Sequence, residues 1–558
     1  MRRTLGPDTN LESLKKEAKA WLKALRASDE RARARLTAIL PDAPVEPGLR
    51  DIQLAIARDH GMAGWRDLVD AIADARRSPA ELVDEALRFT WQNEHSAAAR
   101  IRNRFPDLSR HSIHAAVACG DLDEVRRRLA RDSGAASEKG GPNHWEPILY
   151  LAYCRLPGGE RHAIEIANLL FDHGADPAAR FSDDWENPFT LLGGVIGQGE
   201  TGRPEHPRAE ELVELFVARG TDPFDTQVLY DTSVQGDDAR WLDILWRHCA
   251  ARGETERWRS IERGIGGRYR RTALDYLLGN AVGNGHAKRV AWLLEHGADP
   301  NAMQSYSGRP VHVEAQLEGF PEIAALLERH GAERVALGGS AEFIAACMRH
   351  DLEAARALAM RYPDFLEVPS ALVLAAQRGF EDVVALLLDL GMPADLAPHD
   401  QKRALHWAAQ RGQVGVARLL LAAGADVDRR GSPYKATPIG FASYFGQVAM
   451  IDLLAPLTRD VFALAHLGRL ERLEELLRED PSLVQARDPS GETLLHTLPG
   501  DEDLALEVAE LLLRRGADPQ ATNAKGESAL QAARLKGMED VAEAMEGGVR
   551  LLASSTEP

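Results

Sequence analysis

Most of the chain reads as short helical stripes of apolar residues separated by polar turns. Between residues 404 and 424, Leu405, Ala408, Ala409, Val416, Leu419 and Leu420 fall at helical spacings, which predicts two short amphipathic helices. Gly412 and Gly424 stand where a left-handed residue would end each of them. Asp426 then suits a turn, and Thr437-Pro438 supplies a hydroxyl cap followed by proline at the first position of the next helix. The unit is therefore helix, turn, helix and extended hairpin loop. One such unit is too small to bury its own apolar stripe, so neighbouring copies must stack.

Copies are present along most of the chain. Paired leucines followed by Gly-Ala-Asp occur in LLFDHGADP from Leu169, LLEHGADP from Leu293, LLLAAGADV from Leu419 and LLLRRGADP from Leu511, with looser forms at Leu215, Leu326 and Leu386. Gly297 to Gly331 spans 34 residues and Gly391 to Gly424 spans 33, while the other intervals are 46, 77, 60 and 92. The longer intervals predict insertions or copies without the terminal glycine. A second signature opens the first helix of several copies, as in ALHWAAQRG from Ala404, TPIGFASYFG from Thr437 and SIHAAVACG from Ser112.

Together these signatures resemble the ankyrin repeat over roughly residues 110 to 546. The resemblance implies an all-α fold, an ankyrin-repeat solenoid of stacked helix-turn-helix units with hairpin loops. His114, His406 and His496 match the family's motif histidine, whereas Asp275, Val373 and Gly440 stand at or near that place in other copies, so several repeats are degenerate. Ahead of them, LESLKKEAKAWLKALRA and DIQLAIARDHGMAGWRDLVDAIADA flank the proline-rich PDAPVEPG and predict a small helical N-terminal module that caps the first repeat. The expected organisation is a helical module at 1–78, linking helices and a first repeat at 79–140, irregular repeats with long aromatic-rich insertions at 141–276, further repeats at 277–546 and a flexible tail at 547–558.

Composition narrows the partners. With 85 acidic against 67 basic residues the formal charge is −18, which disfavours nucleic acid and anionic membrane surfaces. No apolar run approaches the roughly 20 residues needed to cross a bilayer. The start lacks the apolar stretch of a signal peptide, so a cytoplasmic location is expected. Only 10 of the 67 basic residues are lysine, and this Arg skew, with abundant Ala, points to a bacterial source. Cys119, Cys154, Cys249 and Cys347 are far apart and read as buried apolar residues rather than disulfide or zinc partners.

Catalytic signatures are absent: there is no phosphate loop, His-Glu-x-x-His or Gly-x-Ser-x-Gly. Gly264 to Arg268 is a glycine-rich loop, His111 and His114 read as structural, Asp183-Asp184-Trp185-Glu186 as a solvated turn, and Arg126-Arg127-Arg128 as a wet helix face. Arg268, Arg270 and Arg271 form a short charge run of the kind that more often has no ligand. No catalytic residue, metal or cofactor is expected. The resemblance instead implies a non-catalytic scaffold that binds an as yet unidentified protein partner on its concave face and hairpin tips. The candidate contacts are Arg180, Phe181, Asp183, Trp185, Gln304, Tyr306, His399, Tyr434, Lys435, Asn523 and Lys525 at tips, with Trp407, Gln410, Arg411, Tyr444 and Phe445 on inner helices. Residues 141–276 hold five of the ten Trp and five of the nine Tyr, which supports an alternative: an enzyme or small-molecule binder whose pocket is walled by Trp145, Tyr150, Tyr153, Asp183, Trp185 and Tyr230.

Overall fold

The computed structural model describes residues 3, 9–45, 47–91, 95–182, 188–199, 202–234, 236–260, 271–399, 401–432, 435–536 and 538–554. These are mostly helical, and the strands among them are Arg180–Ser182 and Pro188–Thr190, paired antiparallel with Phe181 opposite Phe189. The chain divides into two compact units, Met1–Val311 with Leu326–Glu333, and His312–Ala325 with Arg334–Pro558.

The second unit shows the repeat most plainly. Inner helices Ser370–Arg378, Ala404–Arg411 and Pro438–Tyr444 pack side by side, each followed by an outer helix, Glu381–Asp389, Val414–Ala422 and Val448–Leu454. Leu405, Ala408, Ala409, Val416 and Leu420 are buried and Leu419 is half-buried, so the predicted stripe is the packing face. Ala375, Ala376, Ala408, Ala409 and Ala442 are buried on the inner helices, where their small side chains let the helices approach closely. Gly412, at φ +69°, ends its helix in the left-handed region, and a Cβ there would stand 2.3 Å from Oε1 of Gln447 in the next pair. That amide donates from Nε2 to the Gln410 carbonyl at 3.3 Å, so a missing side chain in one copy makes room for a cross-link from its neighbour.

Two further devices recur in both units. The motif histidines donate from Nε2 to the carbonyl of the following hairpin: His114 to Glu138 at 2.8 Å, His406 to Arg429 at 2.9 Å and His496 to Glu527 at 3.0 Å. On the other nitrogen, Nδ1 accepts the N–H at the helix start, from Arg403 to His406 and from Thr493 to His496, both at 3.2 Å. The aspartate after Gly-Ala closes a turn on the backbone N–H two residues on, in Asp176, Asp299, Asp426 and Asp518.

In the first unit, helices Leu11–Arg26, Glu30–Ile39, Leu49–Asp59 and Trp65–Arg76 enclose a separate core around Leu14, Trp21, Leu36, Ile52, Ile56 and Leu68. Pro79–Trp91 and His95–Arg104 follow. Among the described residues five helix pairs come next, the second to fifth beginning at Pro147, Leu191, Thr226 and Ala273.

Candidate functional site

Two kinds of surface project from the helix pairs: hairpin tips, and the turns that join inner to outer helix. At the tips, isolated bridges pair Met303 with Pro310, Gly431 with Ala436 and Thr522 with Ser528. Polar side chains there serve their own backbone. Gln304 is buried, and its Oε1 accepts from the N–H groups of Tyr306 and Ser307, both at 2.6 Å. Asn523 Oδ1 accepts from the N–H of Lys525 at 3.0 Å and of Glu527 at 3.1 Å. What stands out from these frames is Tyr306, 63% exposed with its hydroxyl 3.0 Å from that of Tyr276, together with the exposed Lys435, Lys525 and His399. Arg180 is exposed and Phe181 half-buried on the first strand; Asp183, Trp185 and Tyr434 lie outside the described residues, as do Arg268 and Arg270.

The turns form a row. Gly379, Gly412 and Gly446 hold one register in three consecutive pairs of the second unit, which sets Gln377-Arg378, Gln410-Arg411 and Tyr444-Phe445 in equivalent places. Arg378 pairs with Glu318 at 2.6 Å and lies over the Phe320 ring. Gln410 accepts from Lys402, whose ammonium sits 3.4 Å from the centroid of the half-buried Trp407 ring. Arg411 is exposed. Tyr444 is 73% exposed, Phe445 37% and Val448 66%, with the two rings in edge contact at 5.0 Å. Large apolar side chains left in water are the composition of a docking surface rather than of a core.

The aromatic segment is packed on itself. Trp145 stacks on Phe181 at 4.3 Å, Phe181 on Phe189 at 5.1 Å, and Tyr153 meets Phe181 edge-on at 5.1 Å. The Tyr150 hydroxyl donates to the Gly140 carbonyl at 2.9 Å and that of Tyr153 to the Thr190 carbonyl at 2.7 Å, and burial pushes both phenols up. Trp145, Tyr150 and Tyr153 are thus buried against one another, and Tyr230 is half-buried. Behind them Arg155 threads between segments. Its guanidinium donates to the carbonyls of Ala152 at 2.7 Å, Cys154 at 3.1 Å and Gly194 at 2.6 Å, and burial lowers it to about 10.

Burial sets the remaining titrations. It holds His406 down at about 4 and, with Arg155 and Arg208 nearby, His206 at about 3. All four cysteines are buried free thiols, with Cys154 and Cys347 pushed up to about 12. Among the described residues no three His, Cys, Asp or Glu side chains converge to hold a metal, and no helix is long and apolar enough to cross a membrane.

Comparison with known proteins agrees with this architecture. Residues 343–431 match the family model for ankyrin repeats, in 3 copies. The ankyrin repeat protein YahD of Escherichia coli (strain K12) is 25% identical over 190 residues, covering 32% of this chain and 94% of the relative. Cyclin-dependent kinase 4 inhibitor B of Mus musculus is 43% identical over 56 residues, and its Rattus norvegicus counterpart likewise. That match takes in 10% of this chain and 42% of each inhibitor, less than half their length. An ankyrin repeat domain from Acinetobacter baumannii AYE, solved as a crystal structure, aligns with a TM-score of 0.27 and 21% identity over 32% of this chain and 96% of that one. The chain carries ankyrin repeats, matched over residues 343–431. Ankyrin repeats generally mediate protein–protein interaction.

Proposed function

We propose that this chain is a non-catalytic scaffold that captures a protein partner through the second unit. The docking surface is the row of inner-helix ends, with Tyr444, Phe445 and Val448 as apolar anchors, Arg411 and Gln410 as their polar border, and the projecting tip residues Lys435 and Lys525 as outlying contacts. The observation that carries this reading is the exposure of an aromatic pair at a register where the two preceding pairs carry polar residues. Rigid repeats lose little entropy on association, so a few such anchors supply most of the affinity. A partner that meets this surface presents an apolar groove edged with carboxylates, the complement of rings beside Arg411.

The test is a variant combining Tyr444→Ser, Phe445→Ser and Val448→Ser, used as bait beside the native chain in affinity purification with quantitative mass spectrometry. The native chain is expected to enrich a protein that the variant loses at least tenfold, with the melting temperature within a few degrees of native. Equal recovery by both baits removes the docking surface from this row.

A further inference from the structure

In one helix pair of the first unit the turn between inner and outer helix is enlarged. Ala404–Arg411 and Val414–Ala422 are separated by two residues, whereas Pro147–Tyr153 and Ala163–Asp172 are separated by nine, Cys154 to His162. The enlarged loop lies against the turn at Gly120 in the preceding pair. A Cβ on Gly120, at φ +68°, would stand 2.6 Å from the Gly158 carbonyl oxygen, and one on Gly159 would stand 2.5 Å from that of Ala118. Two backbones thus meet without side chains between them. Beside this contact opens a cleft of about 480 Å³, a size that suits a small molecule. Its wall draws on three places in the chain: Arg102 from helix His95–Arg104, Asp121, Asp123 and Arg126 from helix Leu122–Arg131 and its cap, and Arg161 and His162 from the enlarged loop.

Charge selects the occupant. In a chain of net charge −18, residues 101–131 and 155–165 hold nine Arg against six Asp and Glu. On the cleft wall itself three guanidiniums stand against two carboxylates, so the wall keeps a net positive charge. Both carboxylates are already engaged. Asp121 accepts from the Ser109 hydroxyl at 2.7 Å and from the Glu124 N–H at 3.1 Å, and the exposed Asp123 pairs with Arg126 at 3.5 Å. Arg161 is exposed and has no ion pair among the described residues. Arg102 is half-buried and likewise has none; its Nη1 donates to the Pro106 carbonyl at 2.8 Å, which holds the guanidinium in place. His162 completes the wall, with Glu165 3.8 Å from its Nδ1. Two cations on one wall without counter-charges repel each other, and an anion lodged beside both is attracted to each. We propose that this cleft binds a phosphate group, free or carried by a small organic ester, on Arg102 and Arg161. A guanidinium presents paired N–H donors that match adjacent phosphate oxygens, and the volume left over takes the organic part of an ester.

The test is isothermal titration calorimetry of the full chain with inorganic phosphate and with phenyl phosphate, at an ionic strength fixed by sodium chloride. The expected result is saturation at one equivalent and a Kd weaker by about tenfold or more in Arg161→Gln. Because Arg161 is exposed, that variant is expected to keep the native circular dichroism and melting temperature. Arg131→Gln removes an exposed arginine that lies on helix Leu122–Arg131 but off the cleft wall, and its Kd is expected to stay within about twofold of native. Tighter binding of phenyl phosphate supports the assignment with an ester as ligand, and equal or tighter binding of inorganic phosphate supports it with the free anion. Three results overturn it: no saturable binding of either probe, equal affinity in native and folded Arg161→Gln chains, or as large a loss in Arg131→Gln as in Arg161→Gln. The docking role of the second unit is untouched by any of them.

Discussion

At the scale of single residues, His406 shows how one side chain couples repeat closure to pH. Both its nitrogens are used, Nδ1 by the helix start and Nε2 by the following hairpin, and the ring is buried. Burial keeps it neutral until about pH 4, whereas in the unfolded chain it takes up a proton near 6.5. Between those values the unfolded state binds more protons than the folded one, so stability is complete above about pH 6.5 and falls as the pH drops towards 4. From pH 7 to pH 5 the contribution of this one group is a loss of about 2 kcal/mol. Urea unfolding midpoints measured across that range should fall accordingly. His406→Ala should start from a lower midpoint at pH 7, because two bonds to backbone groups are gone, yet lose less on acidification. A variant whose pH dependence matches the native chain would assign the sensitivity elsewhere, with His206 the next residue to replace.

At the scale of elements, the regular pairs were legible in the sequence and the irregular ones only in part. Leu405, Ala408 and Val416 reveal their burial because helical spacing is local, and the Gly-Ala-Asp aspartates reveal their turns for the same reason. The aromatic residues of 141–276 stand out by composition, but their stacking was not readable: Trp145, Phe181 and Phe189 meet through a strand pairing, which no local period encodes. Arg155 was missed altogether, since its acceptors lie up to 49 residues away. It joins the end of one inner helix to the next, and replacing a buried fork by a single ammonium leaves carbonyls unpaired. Arg155→Lys should therefore destabilise the first unit by roughly 2–3 kcal/mol, seen as a lower thermal midpoint, while Arg411→Lys on the exposed row should change stability by less than about 0.5 kcal/mol.

At the scale of the whole molecule, repeat architecture makes stability a sum of neighbour contacts rather than a property of the full length. The second unit bears this out in its composition. One hydrophobic cluster runs from Leu317 to Met545, and helix starts within it carry their own side-chain caps, among them Asp351, Asp460, Asp501 and Ser528. Nothing in that cluster draws on the N-terminal module, whose core is a separate set of residues. A chain comprising residues 312–558 should consequently fold by itself, giving helical circular dichroism and a cooperative urea transition. It should also retain partner capture, because the Tyr444 row lies wholly inside it. Such a chain that is soluble but lacks a cooperative transition would show that its repeats depend on the first unit.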